Sequence, residues 1–173
     1  EAIIPDMAGI ARGKVMPATK FAEDEGMRLP ESSFLQTVTG DYPADTSEAM
    51  SPAEIDIVLR ADPKTVRVVP WTAEPTAQVI HDCFYSDGRR VTMAPRTLLR
   101  HVLELYAQRG WEPVIAPELE FYLVEPNIDA DYPLKPPVGR SGRSEPGRQS
   151  YSIAAVNEFD PLFDDVYAFC EAQ

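Results

Sequence analysis

The run Pro117-Glu118-Leu119-Glu120-Phe121-Tyr122-Leu123-Val124 alternates by twos, and its reading sets the fold class. In a strand, side chains two positions apart share a face at a spacing of about 7 Å. Glu118 and Glu120 then point one way, while Leu119, Phe121 and Leu123 form an apolar stripe on the other. Tyr122 and Val124 continue the glutamate face, so that face does not read as wholly solvated. Two carboxylates held close on a rigid strand repel one another unless a cation lies beside or between them. Mg or Mn, which take oxygen ligands, are the natural candidates. An ordinary half-exposed strand with acidic outward positions accounts for the same spacing.

Just upstream, Pro95 suits a first helical position, and Leu98, Leu99, Val102, Leu103 and Tyr106 recur at three- and four-residue steps. Gly110 stands where a left-handed cap ends a helix. The segment from Trp111 to Val124 is then expected to be mainly strand, with Pro113 and Pro117 able to interrupt its first half. Earlier still, Val66–Pro70 and Ala77–Tyr85 read as strands. Ser86-Asp87-Gly88-Arg89 turns the chain into a short return strand at Arg90–Met93. Asp24–Asp56 reads mainly as loop, with a short strand near Phe34–Val38. Downstream, the Pro-, Gly- and Arg-rich stretch Glu125–Gln149 is a loop, Tyr151–Val156 a strand, and the residues from Asn157 an amphipathic helix. This order is an α+β pattern, with a boundary near Met93 that divides the chain into 1–93 and 94–173.

The chain has 173 residues, 44% of them hydrophobic, enough for a real core. Its 28 acidic against 16 basic residues give a net charge of −12, a field that repels phosphate backbones and anionic membranes. Nucleic-acid and membrane partners are therefore not expected. No secretory signal opens the chain, and the absence of an initiator Met suggests that the natural start is missing. Cys83 and Cys170, far apart and without repeated spacing, read as reduced thiols of a cytoplasmic protein. His81 and Cys83 share a strand face but lack the partner ligands zinc needs, so they read as core. Asp129, Asp131 and the cluster Asp41, Asp45 and Glu48 read as solvated acids. No phosphate-cradling glycine loop and no nucleophile–base set can be assembled, so no catalytic residue is named.

Taken in order, the motifs resemble the glutamine synthetase family. Asp6-Met7-Ala8-Gly9-Ile10-Ala11-Arg12-Gly13-Lys14, with Pro17 beyond it, is similar to a D-x-x-G-x-x-R-G-K-x-x-P segment of that family. The Val68–Trp71 strand, the hairpin, Ala94-Pro95-Arg96 opening a helix, Gly110, and the metal-binding E-x-E-F strand at Glu118–Phe121 follow in the same order. Leu29-Pro30-Glu31-Ser32-Ser33-Phe34 stands where ammonia-using members carry Asp-Gly-Ser-Ser, whose aspartate helps deprotonate ammonium. That departure, with Pro133-Leu134-x-Pro136-Pro137 and Tyr151-Ser152, resembles the γ-glutamylpolyamine synthetase branch.

The resemblance implies a β-grasp domain over 1–93, followed by the incomplete start of the catalytic β-sheet domain over 94–173. It implies an ATP-dependent ligase joining the γ-carboxylate of glutamate to an amine such as putrescine, through a γ-glutamyl phosphate. Glu118 and Glu120 would be Mg or Mn ligands, and Tyr151 and Glu31 substrate-binding residues. The full-length protein would be a cytoplasmic homo-oligomer, a dodecamer of two hexameric rings with active sites between neighbouring subunits. The family's remaining metal ligands and phosphate-binding arginines would lie beyond Gln173, so the chain is expected to be an inactive N-terminal fragment. Two other readings stay open: an ammonia-using glutamine synthetase with a divergent loop, and a non-catalytic β-grasp binding module.

Overall fold

A computed structural model describes residues 1–23, 27–45, 53–144, 147 and 149–173, so Glu48 of the acidic cluster lies outside the described residues. Two compact units are present, Glu1–Val114 and Ile115–Gln173. The first is built on a mixed sheet flanked by helices. Its elements are β1 (Ala2–Pro5), β2 (Ala11–Lys14), α1 (Ala18–Glu23), β3 (Met27–Pro30), β4 (Asp56–Ala61), β5 (Arg67–Val68), β6 (Ala77–Phe84) and α2 (Pro95–Ala107). Strand order is β2-β1-β6-β4-β3, with β5 also pairing β6. β1 runs parallel to β6, and every other pairing is antiparallel.

Period-two burial explains the core. Ala2 and Ile4 on β1, Ile57 and Leu59 on β4, and Val79, His81 and Cys83 on β6 all turn inward. Met27, Phe34, Val91 and Ala94 close the cluster. His81 is a core residue, as its pattern suggested: its ring meets Phe21 edge-on at 6.0 Å, and its Nδ1 lies 3.1 Å from the Val79 carbonyl. Burial pushes the Cys83 thiol up to about 12, so it remains a neutral thiol. At Gly13 an added Cβ would fall 1.7 Å from the Ala2 carbonyl oxygen, so the β1–β2 ladder admits only glycine there.

The expected hairpin is present as a turn rather than two full strands. Tyr85 N–H donates to the Arg89 carbonyl at 2.8 Å, and Gly88 takes a positive φ of 87°. The return side pairs only through a single bridge, Phe84 with Arg90, backed by Val91 N–H to the Cys83 carbonyl at 3.0 Å. The helix led by Pro95 forms as expected. It ends at Gly110 (φ 68°), where Trp111 N–H reaches back 3.1 Å to the Tyr106 carbonyl. Its apolar residues Leu98, Leu99, Val102, Leu103 and Tyr106 are all exposed. Charge fixes the helix to the sheet instead. Arg96 Nε donates to Asp82 at 2.8 Å and its Nη2 to Asp62, while Arg100 Nη2 reaches Asp82 at 3.1 Å and Asp62 at 3.2 Å. Burial disfavours an ionised Asp82, but the Arg96 and Arg100 hydrogen bonds and charges outweigh it and hold the carboxyl below its usual range.

Four expectations are corrected. Phe34–Val38 is not a strand: Glu31–Phe34 forms a 3-10 turn. The loop assigned to Asp24–Asp56 contains β3, whose four residues pair with β4. No regular strand forms over 111–124, because a strand needs a hydrogen-bonded neighbour and none of the described residues supplies one. Tyr151–Val156 is not a strand either. Ser152 Oγ accepts from Ala155 N–H at 3.3 Å and starts α3 (Ile153–Asn157), a serine cap outweighing the β-branched neighbours. α4 (Asp160–Ala172) is the expected amphipathic helix. All the buried hydrophobic residues of the described chain lie in the first unit.

Candidate functional site

In the first unit, β3 delivers the chain into the Glu31–Phe34 turn, which Glu31 N–H anchors on the Ile55 carbonyl at 2.9 Å. Glu31 is 6% exposed, and its Oε1 accepts a short hydrogen bond from the Tyr85 hydroxyl. Burial first, then the hydrogen bond and charge of Glu31, push the Tyr85 phenol up to about 12. Ser32 Oγ donates to Glu54 at 2.8 Å and accepts from Tyr42 at 3.3 Å. Glu31, Ser32, Tyr42, Glu54 and Tyr85 thus form an acidic, hydroxyl-rich cluster around the turn.

The Asp6–Arg12 motif supports the loop that follows this turn. Asp6 Oδ1 accepts from the amides of Ala8 at 2.9 Å and Ile10 at 2.8 Å, and Oδ2 accepts from Arg12 Nε at 2.7 Å. Arg12 Nη2 in turn donates to the Thr37 carbonyl at 3.2 Å. Burial works against the Asp6 charge, but the Arg12 hydrogen bond, the two amides and the Arg12 charge prevail and hold its carboxyl below the usual range. The motif is a structural brace.

The second unit holds the other expected residues. Glu118 and Glu120 are exposed on the extended segment, and the stripe expected to be buried opposite them is open: Leu119 is 88% exposed and Phe121 56%. Tyr151 is fully exposed at a left-handed turn, φ 59°. The two carboxylates are the right donors for Mg or Mn, but among the described residues no group of three or more His, Cys, Asp or Glu side chains is placed to hold an ion. Glu118 and Glu120 therefore fit as part of a ligand set and do not complete one. An apolar groove of about 390 Å³ opens beside Met16, Phe21 and Val79, and none of the expected site residues lines it.

Residues 92–173, which include Glu118, Glu120 and Tyr151, match the family model described as glutamine synthetase, catalytic domain. The chain is 28% identical over 178 residues to γ-glutamylputrescine synthetase of Escherichia coli, covering 100% of this chain and 37% of that protein. It is 31% identical over 166 residues to γ-glutamylethanolamide synthetase of Streptomyces coelicolor, covering 91% of this chain and 34% of that one. The chain belongs to the glutamine synthetase family. It spans little more than a third of the length of these relatives. A solved structure of a novel glutamine synthase homolog superposes with a TM-score of 0.54 at 21% identity, over 62% of this chain and 26% of that one, a likeness of fold. No helix among the described residues is long and apolar enough to cross a membrane.

Membership in the family does not by itself expose the supporting residues. Tyr85 sits at the end of β6 in a turn signal, and its pairing with Glu31, 54 positions away, leaves no trace in local pattern. Arg96 and Arg100 carried a usable signal: two arginines one helical turn apart present one charged edge, which calls for acidic partners.

Proposed function

We propose that the full-length protein carrying this chain is an ATP-dependent ligase that joins the γ-carboxylate of glutamate to an organic amine. The observation that carries this reading is the match of residues 92–173 to the catalytic-domain model, with Glu118 and Glu120 inside it. The names of the two relatives, a γ-glutamylputrescine and a γ-glutamylethanolamide synthetase, support an organic amine, as does Pro30-Glu31 in place of Asp-Gly.

In the proposed reaction a γ-carboxylate oxygen of glutamate attacks the terminal phosphorus of ATP, and ADP leaves. The amine, bound as a cation, first gives up a proton to solvent; its nitrogen then attacks the acyl carbon of the γ-glutamyl phosphate, loses a second proton, and expels phosphate as the C–O bond breaks. Bound Mg or Mn ions would neutralise charge on the transferring phosphoryl group. Glu118 and Glu120 would each contribute a ligand to these ions, Glu31 would face the cationic amine, and Tyr151 would line the substrate pocket. Residues 1–93 are read as a β-grasp module, a reading supported by the parallel β1–β6 pair within an otherwise antiparallel sheet, and residues 94–173 as the start of the catalytic domain. The open faces of the second unit fit a catalytic sheet completed by the length of the relatives that this chain does not span.

Phosphate release by the full-length protein with ATP, Mg and glutamate tests the reading. Putrescine or ethanolamine should drive release well above ammonium. Faster release with ammonium would reassign the protein to the ammonia-using members, and none with any amine would end the ligase reading. Residues 1–173 alone should release no phosphate above a Glu120→Ala control. A ring of twelve subunits in two hexamers is the proposed assembly; light scattering on active full-length protein should report that mass, and an active monomer would contradict it.

A further inference from the structure

We infer that Tyr85 is the positioning residue of the amine-facing wall, its hydroxyl fixing the Glu31 carboxylate for a cationic nitrogen. The inference rests on the ligase reading and on Glu31 as an amine-facing group.

Glu31 is an unusual carboxylate. It is 6% exposed, yet no arginine, lysine or histidine nitrogen among the described residues lies within salt-bridge distance of it. Its side chain takes one hydrogen bond, from Tyr85 to Oε1, and among the described residues Oε2 accepts none. A carboxyl group that is 6% exposed, with one hydroxyl donor and no counter-charge among the described residues, keeps an oxygen open to a positive donor. Such a group draws in a positive donor, and a protonated amine supplies both charge and N–H groups.

Tyr85 suits the holding role. Its ring packs against the hydrophobic core, so the hydroxyl is delivered from a rigid base. The turn behind it is closed by Tyr85 N–H to the Arg89 carbonyl at 2.8 Å and by Arg89 paired with Asp87 at 2.7 Å. Burial and the facing carboxylate keep the phenol protonated across the neutral range, so it donates throughout. With Oε1 engaged, Oε2 keeps a fixed direction for the incoming nitrogen. Phenylalanine at this position would keep the packing and remove only the donor.

The test uses Tyr85→Phe, Glu31→Gln and the double variant of the full-length protein, with KM measured for putrescine, glutamate and ATP. Tyr85→Phe should raise the putrescine KM roughly tenfold or more, the worth of a hydrogen bond to a charged group. Glutamate and ATP KM values should hold, and the melting temperature should fall only by the several degrees that one lost hydrogen bond to a buried carboxyl group costs. In the Glu31→Gln background the same change should add less than about twofold, because Tyr85 acts through Glu31. Equal loss for all three substrates, or additive losses in the double variant, would show a merely structural residue. An active enzyme whose Tyr85→Phe variant keeps the wild-type putrescine KM sinks this inference alone. An intact protein that ligates no amine sinks the ligase reading and Tyr85's role with it.

Discussion

Replacing Glu118 or Glu120 by Gln in the full-length protein should cut turnover by roughly a hundredfold or more while leaving the fold intact. Gln keeps size and polarity but removes the charge that a metal ligand contributes. Loss of one preorganised electrostatic contact at a phosphoryl-transfer centre is worth about 10²–10³ in rate. Stability should behave differently. Both side chains are exposed on an unpaired segment, so either substitution should shift unfolding by less than about 0.5 kcal/mol. Steady-state kinetics with Mg and Mn titration, together with a melting curve, separate the two effects. Unchanged metal dependence in both variants would return these glutamates to ordinary surface acids.

The largest stability effect should come from Asp6. Asp6→Ala strands the Ala8 and Ile10 amides and leaves Arg12 without its partner, a change of about 3 kcal/mol for a buried charged acceptor. Asp6→Asn retains one acceptor oxygen and should lose less. The sign of the pH dependence follows from the lowered carboxyl. A group whose folded pKa lies below its unfolded value, about 3.9 for aspartate, contributes stability in full above that value. The contribution disappears as pH falls through the folded pKa. Wild-type protein should therefore lose stability below about pH 4 more steeply than Asp6→Ala, as read from chemical denaturation across that range. Parallel acid limbs would show that Asp6 is not the charged keystone of this hairpin.

Legibility in the sequence followed the range of the forces involved. α2 was legible because its start, its apolar period and its terminal glycine all lie within sixteen residues of chain, Pro95 to Gly110. β6 was legible from its β-branched and apolar content. β1, β2 and β4 were not assigned, because they are short and their identity depends on partners far along the chain: Ile3 meets Ile80, and Leu59 meets Cys83. Glu118 and Glu120 stood out as chemistry, yet the strand expected to carry them needs a neighbour that pattern alone cannot supply. At Tyr151–Val156 a single serine hydroxyl outweighed β-propensity. The Asp6 motif was visible as a string of residues, while its purpose emerged only when Arg12 was seen to reach the Thr37 carbonyl.

The attachment of α2 has a consequence for how the molecule responds to its solution. Its apolar residues lie open, and its hold on the sheet is the four-residue set Asp62, Asp82, Arg96 and Arg100. Oily contacts tighten with added salt, whereas partly exposed ion pairs weaken with it. Ionic strength therefore works on the two halves of the first unit in opposite senses, firming the β core while easing the mooring of the helix. Heating acts the other way on the mooring, since the cost of stripping water from charges falls with temperature. Amide exchange should register α2 as a separate tier, loosening in concentrated salt while β1, β4 and β6 stay closed.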